Sequence, residues 1–129
     1  MTHLTPRRTL LAAAAASLMA ATLGAHAFEN KEEGVLTQEI VLGSSQPLSG
    51  TLAYMGKAVD EGMRTYFDMV NEQGGVNGRK IKLITYDDEL KPAKSVANAK
   101  LLVERDKVFA MVGNIGHATN ISACLLYTS

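Results

Sequence analysis

The chain has 129 residues, 13 Lys and Arg against 13 Asp and Glu, one Cys and no Trp. That length accommodates one domain, and zero net charge with a pI near 6.8 excludes the basic stripe of a nucleic-acid binder. A single cysteine excludes a disulfide framework and supplies too few thiolates for a zinc ribbon, while 47% hydrophobic residues exclude a disordered chain.

Residues 1–27 read as an export signal. Arg7 and Arg8 form its charged start, and Leu10 to Leu23 is a run of Leu, Ala and Met broken only by Ser17 and Thr22. Ala25-His26-Ala27 supplies the small-x-small cleavage pattern, so Phe28 is the expected first mature residue. The run is 14 residues long, short of the roughly 20 that a spanning helix needs. The arginine pair admits twin-arginine export, but Pro6 before it and the loosely placed Leu10-Leu11 favour the general secretory route. Removal of the signal takes away two Arg and no acid, leaving a net charge of −2.

Residues 28–38 form a polar, acidic leader. Ile40-Val41-Leu42, closed by Gly43-Ser44-Ser45, reads as a buried strand, and Gln46 to Gly50 as a loop. From Gly56 to Glu72 the residues Val59, Met63, Tyr66, Phe67 and Val70 recur at helical spacing and predict one buried face. Gly74-Gly75 ends that helix. Asn77-Gly78 then predicts a tight turn with left-handed central residues, leading into a second strand over Lys80 to Tyr86.

Pro92 suits the first turn of a second helix, with Ala93, Val96, Ala99, Leu102 and Val103 as its inner face. Val108 to Gly113 is nearly all apolar and predicts a third strand of a parallel sheet covered on both faces. Cys124 to Ser129 resembles the translation of a transposase mosaic-end adaptor used in sequencing libraries, so these residues are expected to be a non-native tail. Cys124 is accordingly given no chemical role.

Strand alternating with helix predicts an α/β fold, a doubly wound, three-layer Rossmann-like parallel sheet. Ligands of such sheets bind beyond the carboxyl ends of the strands, which nominates the loops Ser44–Gly56, Tyr86–Lys91 and Gly113–Asn120. The first carries hydroxyls and Tyr54 just before a helix, suited to a small polar ligand, although its Ser and Thr would also serve as plain caps. The third has two glycines and a helix start, suited to a carboxylate or phosphate; the competing reading is an ordinary turn capped by Thr119. This loop follows the strand expected to be central.

Asp87-Asp88 could hold Mg²⁺ or form the acidic pocket of a phosphoryl-accepting domain, but the reading adopted is an anchor for the neighbouring loop and helix. His117 has no histidine partner outside the signal, so no metal site is expected. Nucleophile elbow, Walker loop and GxGxxG patterns are all missing after the strands, and no enzymatic activity is expected.

Glu39 to Gly43, Pro47 to Gly50, Asn71 to Ile81, Tyr86-Asp87-Asp88, Pro92, Leu102-Val103, Asp106 to Val108 and Gly113 to Gly116 together resemble one family. They are similar to the N-terminal lobe of leucine/branched-chain amino-acid-binding proteins, the type I periplasmic solute receptors of ABC importers. The resemblance implies a partial N-terminal lobe over residues 39–123 of a two-lobed periplasmic protein. It implies a monomer that binds an amino acid or related small carboxylate, docks on a membrane permease and carries no cofactor. By position it nominates Gly116, His117, Ala118 and Thr119, with Asn114 nearby, for the ligand carboxylate, and Tyr54 and Met55 for the side-chain pocket. His117 stands where relatives carry Ser or Thr, a bulkier donor that shifts expectation from strict branched-chain specificity toward related carboxylates. The rival expectation is the ligand-sensing domain of a secreted or membrane-anchored receptor.

Overall fold

A computed structural model describes residues 32–128; the export signal and the first four leader residues lie outside it. Strand β1 spans Glu39–Gln46, helix α1 Ala53–Glu72, strand β2 Lys80–Asp87, helix α2 Pro92–Lys100, strand β3 Ala110–Met111 and helix α3 His117–Thr128. A π-helical turn, Leu101–Arg105, continues α2. The strands form one parallel sheet in the order β2-β1-β3. The α/β character and parallel pairing agree with the sequence reading.

β1 is longer than its apolar core suggests, because Gly43, Ser44, Ser45 and Gln46 all pair with β2, ending at Gln46 opposite Asp87. β3 is shorter than expected, two residues rather than six, and lies beside the central β1 instead of being central itself. Before it, the Val108 amide donates to Leu102 O at 3.1 Å, while the Phe109 amide still donates to Val41 O of β1 at 2.8 Å.

Side chains alternate across the sheet, and this separates the layers. On one face Thr85 donates to Asp60 of α1 at 2.6 Å. On the other, Val41, Leu102 and Val108 form the buried core, with Ile84, Tyr86 and Met111 packed against it. A Cβ on Gly43 would lie 3.0 Å from a Leu102 methyl, so the bare glycine gives Leu102 its seat on β1.

The inner face of α1 keeps part of the apolar pattern, with Met63, Phe67 and Val70 half-buried. Tyr66 is 59% exposed and Val59 is 37% exposed, while Asp60 turns inward to Thr85 and Arg64. Gly56 is the buried residue of this helix, since a Cβ there would meet Pro47 O at 2.2 Å. In α2 the buried positions are Ser95, Asn98 and Ala99, whereas Ala93 is exposed. Two of the three buried α2 residues are therefore polar, placed for hydrogen bonding rather than for core formation.

The Asn-Gly turn forms as expected. Asn77 and Gly78 have φ of 51° and 80°, and the Arg79 amide donates to Val76 O at 3.0 Å. At the end of α1, Asn71 grips β2 with both ends of its carboxamide: Nδ2 donates to Ile81 O at 2.8 Å and Oδ1 accepts from the Ile81 amide at 2.7 Å.

Leu102 is fully buried. Leu102→Ala should cost about 2–5 kcal/mol through lost transfer energy and a residual cavity, read as a lower urea midpoint with little change in slope.

Candidate functional site

The carboxyl end of the sheet is built from polar residues that the protein itself encloses. Ser44, Ser45 and Gln46 at the end of β1 are all at most 1% exposed, and Asp88 is fully buried. Buried polar groups are tolerated when hydrogen-bonded, and here the bonds tie three loops together. Ser45 Oγ donates to Asp88 Oδ2 at 2.9 Å. Asn98 Nδ2 reaches down from α2 to Ser45 Oγ and to Asp87 O, both at 3.1 Å. The Ser45 amide donates to Asn114 Oδ1 at 2.9 Å, pinning the loop after β3 to the central strand beyond the last ladder bond.

Asp87 clamps the other two loops. Its Oδ1 accepts from the amides of Leu48 at 2.9 Å, Ser49 at 3.3 Å and Glu89 at 2.9 Å. Its Oδ2 accepts from Ser49 Oγ. Burial pushes the Asp87 carboxyl up, but the Ser49 hydroxyl and the three amides outweigh that and hold it below the ordinary carboxylate value. Asp87-Asp88 is thus an anchor. The carboxylate oxygens are occupied by protein donors, and among the described residues no group of three His, Cys, Asp or Glu could hold a metal.

Tyr54 and Met55 lie in the first turn of α1, 68% and 40% exposed, raised over the β1 loop by the close approach at Gly56. Leu52 precedes the helix and no side chain caps it. The alternative role for the first loop's hydroxyls is therefore not capping: Ser49 serves Asp87.

Gly116, His117, Ala118 and Thr119 form the N-terminus of α3, at the end of the strand next to β1. Gly116 has φ of 103°, and a Cβ there would lie 2.5 Å from Thr119 Oγ1 and 2.8 Å from Leu90 Cδ1. His117 and Ala118 are exposed. The first amides of a helix lack partners within it, and here the Asn120 amide is the one that closes the first turn, onto Gly116 O at 3.0 Å. The helix dipole adds partial positive charge at the same end.

The Thr119 hydroxyl is taken up within its own turn. The side chain is 1% exposed, and Oγ1 donates between Ile115 O at 2.7 Å and Gly116 O at 2.9 Å. The hydroxyl closes the turn because those carbonyls sit within its reach; the ligand-facing possibility belongs to the backbone. Asn114 is likewise committed through Oδ1, and its carbonyl accepts from Asn120 Nδ2 at 3.3 Å.

Sequence reasoning passed over Asn98, and reached Ser45, Gln46 and Leu90 only as members of the nominated loops. A usable signal was present: Ser-Ser-Gln directly after an apolar strand places alternating hydroxyl and amide groups on both sheet faces.

A family model described as periplasmic binding protein matches residues 39–123. An amino acid binding protein of Pseudomonas aeruginosa is 34% identical over 121 residues, covering 94% of this chain and 29% of that relative. The solved branched-chain amino acid transporter substrate binding protein LivJ of Streptococcus pneumoniae, in complex with isoleucine, is 29% identical with a TM-score of 0.64, over 67% of this chain and 25% of that one. A solute binding protein of an ABC transporter from R. palustris, in complex with benzoate, is 28% identical with a TM-score of 0.59, over 68% and 24%. The chain spans under a third of the length of each of these proteins.

Asp87 yields a pH-dependent prediction. Its depressed pKa means that its stabilisation is fully present above the ordinary carboxylate value of about 4 and is lost as pH falls through the lowered one. Asp87→Asn should cost about 1–2 kcal/mol near pH 7. Thermal melts of the two proteins should converge as the pH drops below about 4; parallel melts would contradict the clamp.

Proposed function

The chain belongs to the periplasmic binding protein family, and on that premise we propose that it is the substrate-binding component of an ABC importer for amino acids or related small carboxylates. Such a protein binds its cargo and performs no chemistry on it. The observation that carries this reading is the N-terminus of α3, with exposed His117 and Ala118, held at the end of β3 by the Asn114 bond to Ser45. Amides and dipole there suit a carboxylate.

Gly116, His117 and Ala118, with the Thr119 amide, are the proposed carboxylate anchor. The His117 imidazole is the added donor, and Tyr54 and Met55 form a wall of the side-chain pocket. Asn114 and the Thr119 hydroxyl hold the turn. The isoleucine and benzoate bound by the two solved relatives share a carboxylate, which supports small carboxylates as the ligand class and leaves the remainder of the molecule to be tested. A periplasmic location, release after Ala27, a monomeric state and docking on a membrane permease complete the proposal.

The test is calorimetric titration of the protein, expressed from its complete reading frame, with isoleucine, benzoate, isoleucinamide and benzamide. Binding of an acid but not its amide supports the reading; binding by neither acid counts against it. For the acid that binds, His117→Ala should weaken affinity by about 1–3 kcal/mol, the size of a lost charge-assisted hydrogen bond. An unchanged affinity would remove His117 from the site.

A further inference from the structure

One turn type occurs twice in this chain, with opposite sequence logic. In Val76–Arg79 the central residues are Asn77 and Gly78, both left-handed, and Arg79 donates back to Val76. In Asp88–Lys91 the central residues are Glu89 and Leu90, with φ of 52° and 58°, and the Lys91 amide donates to Asp88 O at 2.8 Å. Asn-Gly suits two successive left-handed residues; Glu-Leu does not, because Cβ crowds the backbone there. Such a conformation persists only where its surroundings over-determine it. Asp87 Oδ1 accepts from the Glu89 amide at 2.9 Å and the buried Asp88 Oδ1 from the Leu90 amide at 2.8 Å. Glu89 is also paired with Lys91 and Lys94.

The strained turn delivers one side chain to a specific place. Leu90 Cδ1 would lie 2.8 Å from a Cβ at Gly116, so the leucine packs directly against the glycine that starts the proposed carboxylate turn. Nearby, Ser95 Oγ donates to Thr119 O at 3.2 Å. The loop before α2 thus holds the start of α3 through an apolar contact, and the first turn of α2 holds it through a hydrogen bond.

We propose that Leu90 is a positioning residue: it is held in a disfavoured backbone conformation because its side chain braces the Gly116 turn and fixes the helix-start amides. The ligand consequence rests on the function proposed above; the bracing itself does not.

The experiment uses the protein expressed from its complete reading frame. Its variants are Leu90→Ala, which keeps the strain and removes the brace, and the double variant Glu89→Asn with Leu90→Gly, which relieves the strain and removes the brace. Glu89→Gly relieves part of the strain and keeps the brace. The double variant and Glu89→Gly should melt at higher temperature than the parent protein. Amide hydrogen exchange at Asn120, whose bond to Gly116 closes the first turn of α3, should become several-fold faster in both variants lacking Leu90. It should be unchanged in Glu89→Gly. Faster local exchange in a protein of higher melting temperature is not global destabilisation. Titration with isoleucine and benzoate should show about tenfold weaker binding in the two variants without Leu90, equivalent to roughly one hydrogen bond. Unchanged Asn120 exchange in both would overturn the proposal. If the parent protein binds neither acid, the proposed function fails while the exchange data still decide whether Leu90 braces the turn.

Discussion

The hydrogen bond from Ser45 Oγ to the buried Asp88 carboxylate is the interaction on which the upper end of this protein depends. It joins β1 to the loop after β2 inside the protein, where an unpaired carboxylate would be costly. Asn98 completes the arrangement from α2, and the Ser45 amide extends it to Asn114 beyond β3. The loops after β2 and β3 are therefore referred to one residue of the central strand, while Asp87 holds the loop after β1.

Much of this was visible in the sequence, and what was missed has physical causes. The Asn77-Gly78 turn, the second strand and the helix opening at Pro92 were legible because each depends on backbone preferences of neighbouring residues. The inward face of α1 was legible only in part: Met63, Phe67 and Val70 are half-buried as their spacing predicts, but Asp60 is drawn to the sheet by Thr85 and Tyr66 is left outside. Ser95 and Asn98 defeat the apolar pattern of α2 in the same way, since their partners lie in distant segments. The brevity of β3 is also non-local. Val108 looks like a strand residue, yet its amide is taken by Leu102, and only the Phe109 amide still reaches Val41 of β1.

The candidate site was legible to the level of the loop and the glycine but not to the hydroxyl. Gly116 was identified from its place after an apolar strand, and its left-handed φ explains why glycine stands there. Thr119 was equally visible, but whether a threonine at a helix start faces outward or closes its own turn is decided by carbonyl positions within 3 Å. Leu90 carried no signal, because the cost of its conformation exists only after the chain has folded.

Asn71 has a consequence for the company this chain keeps. In a parallel strand the N–H and C=O of one residue point to the same side; Lys80 donates toward β1 through Gln38 O, so Ile81 faces away from the sheet. The Asn71 carboxamide satisfies both Ile81 groups. A side chain thus imitates the strand that would otherwise add at this border, and an exposed border is where unrelated chains polymerise. One amide denies an incoming chain its first foothold on β2.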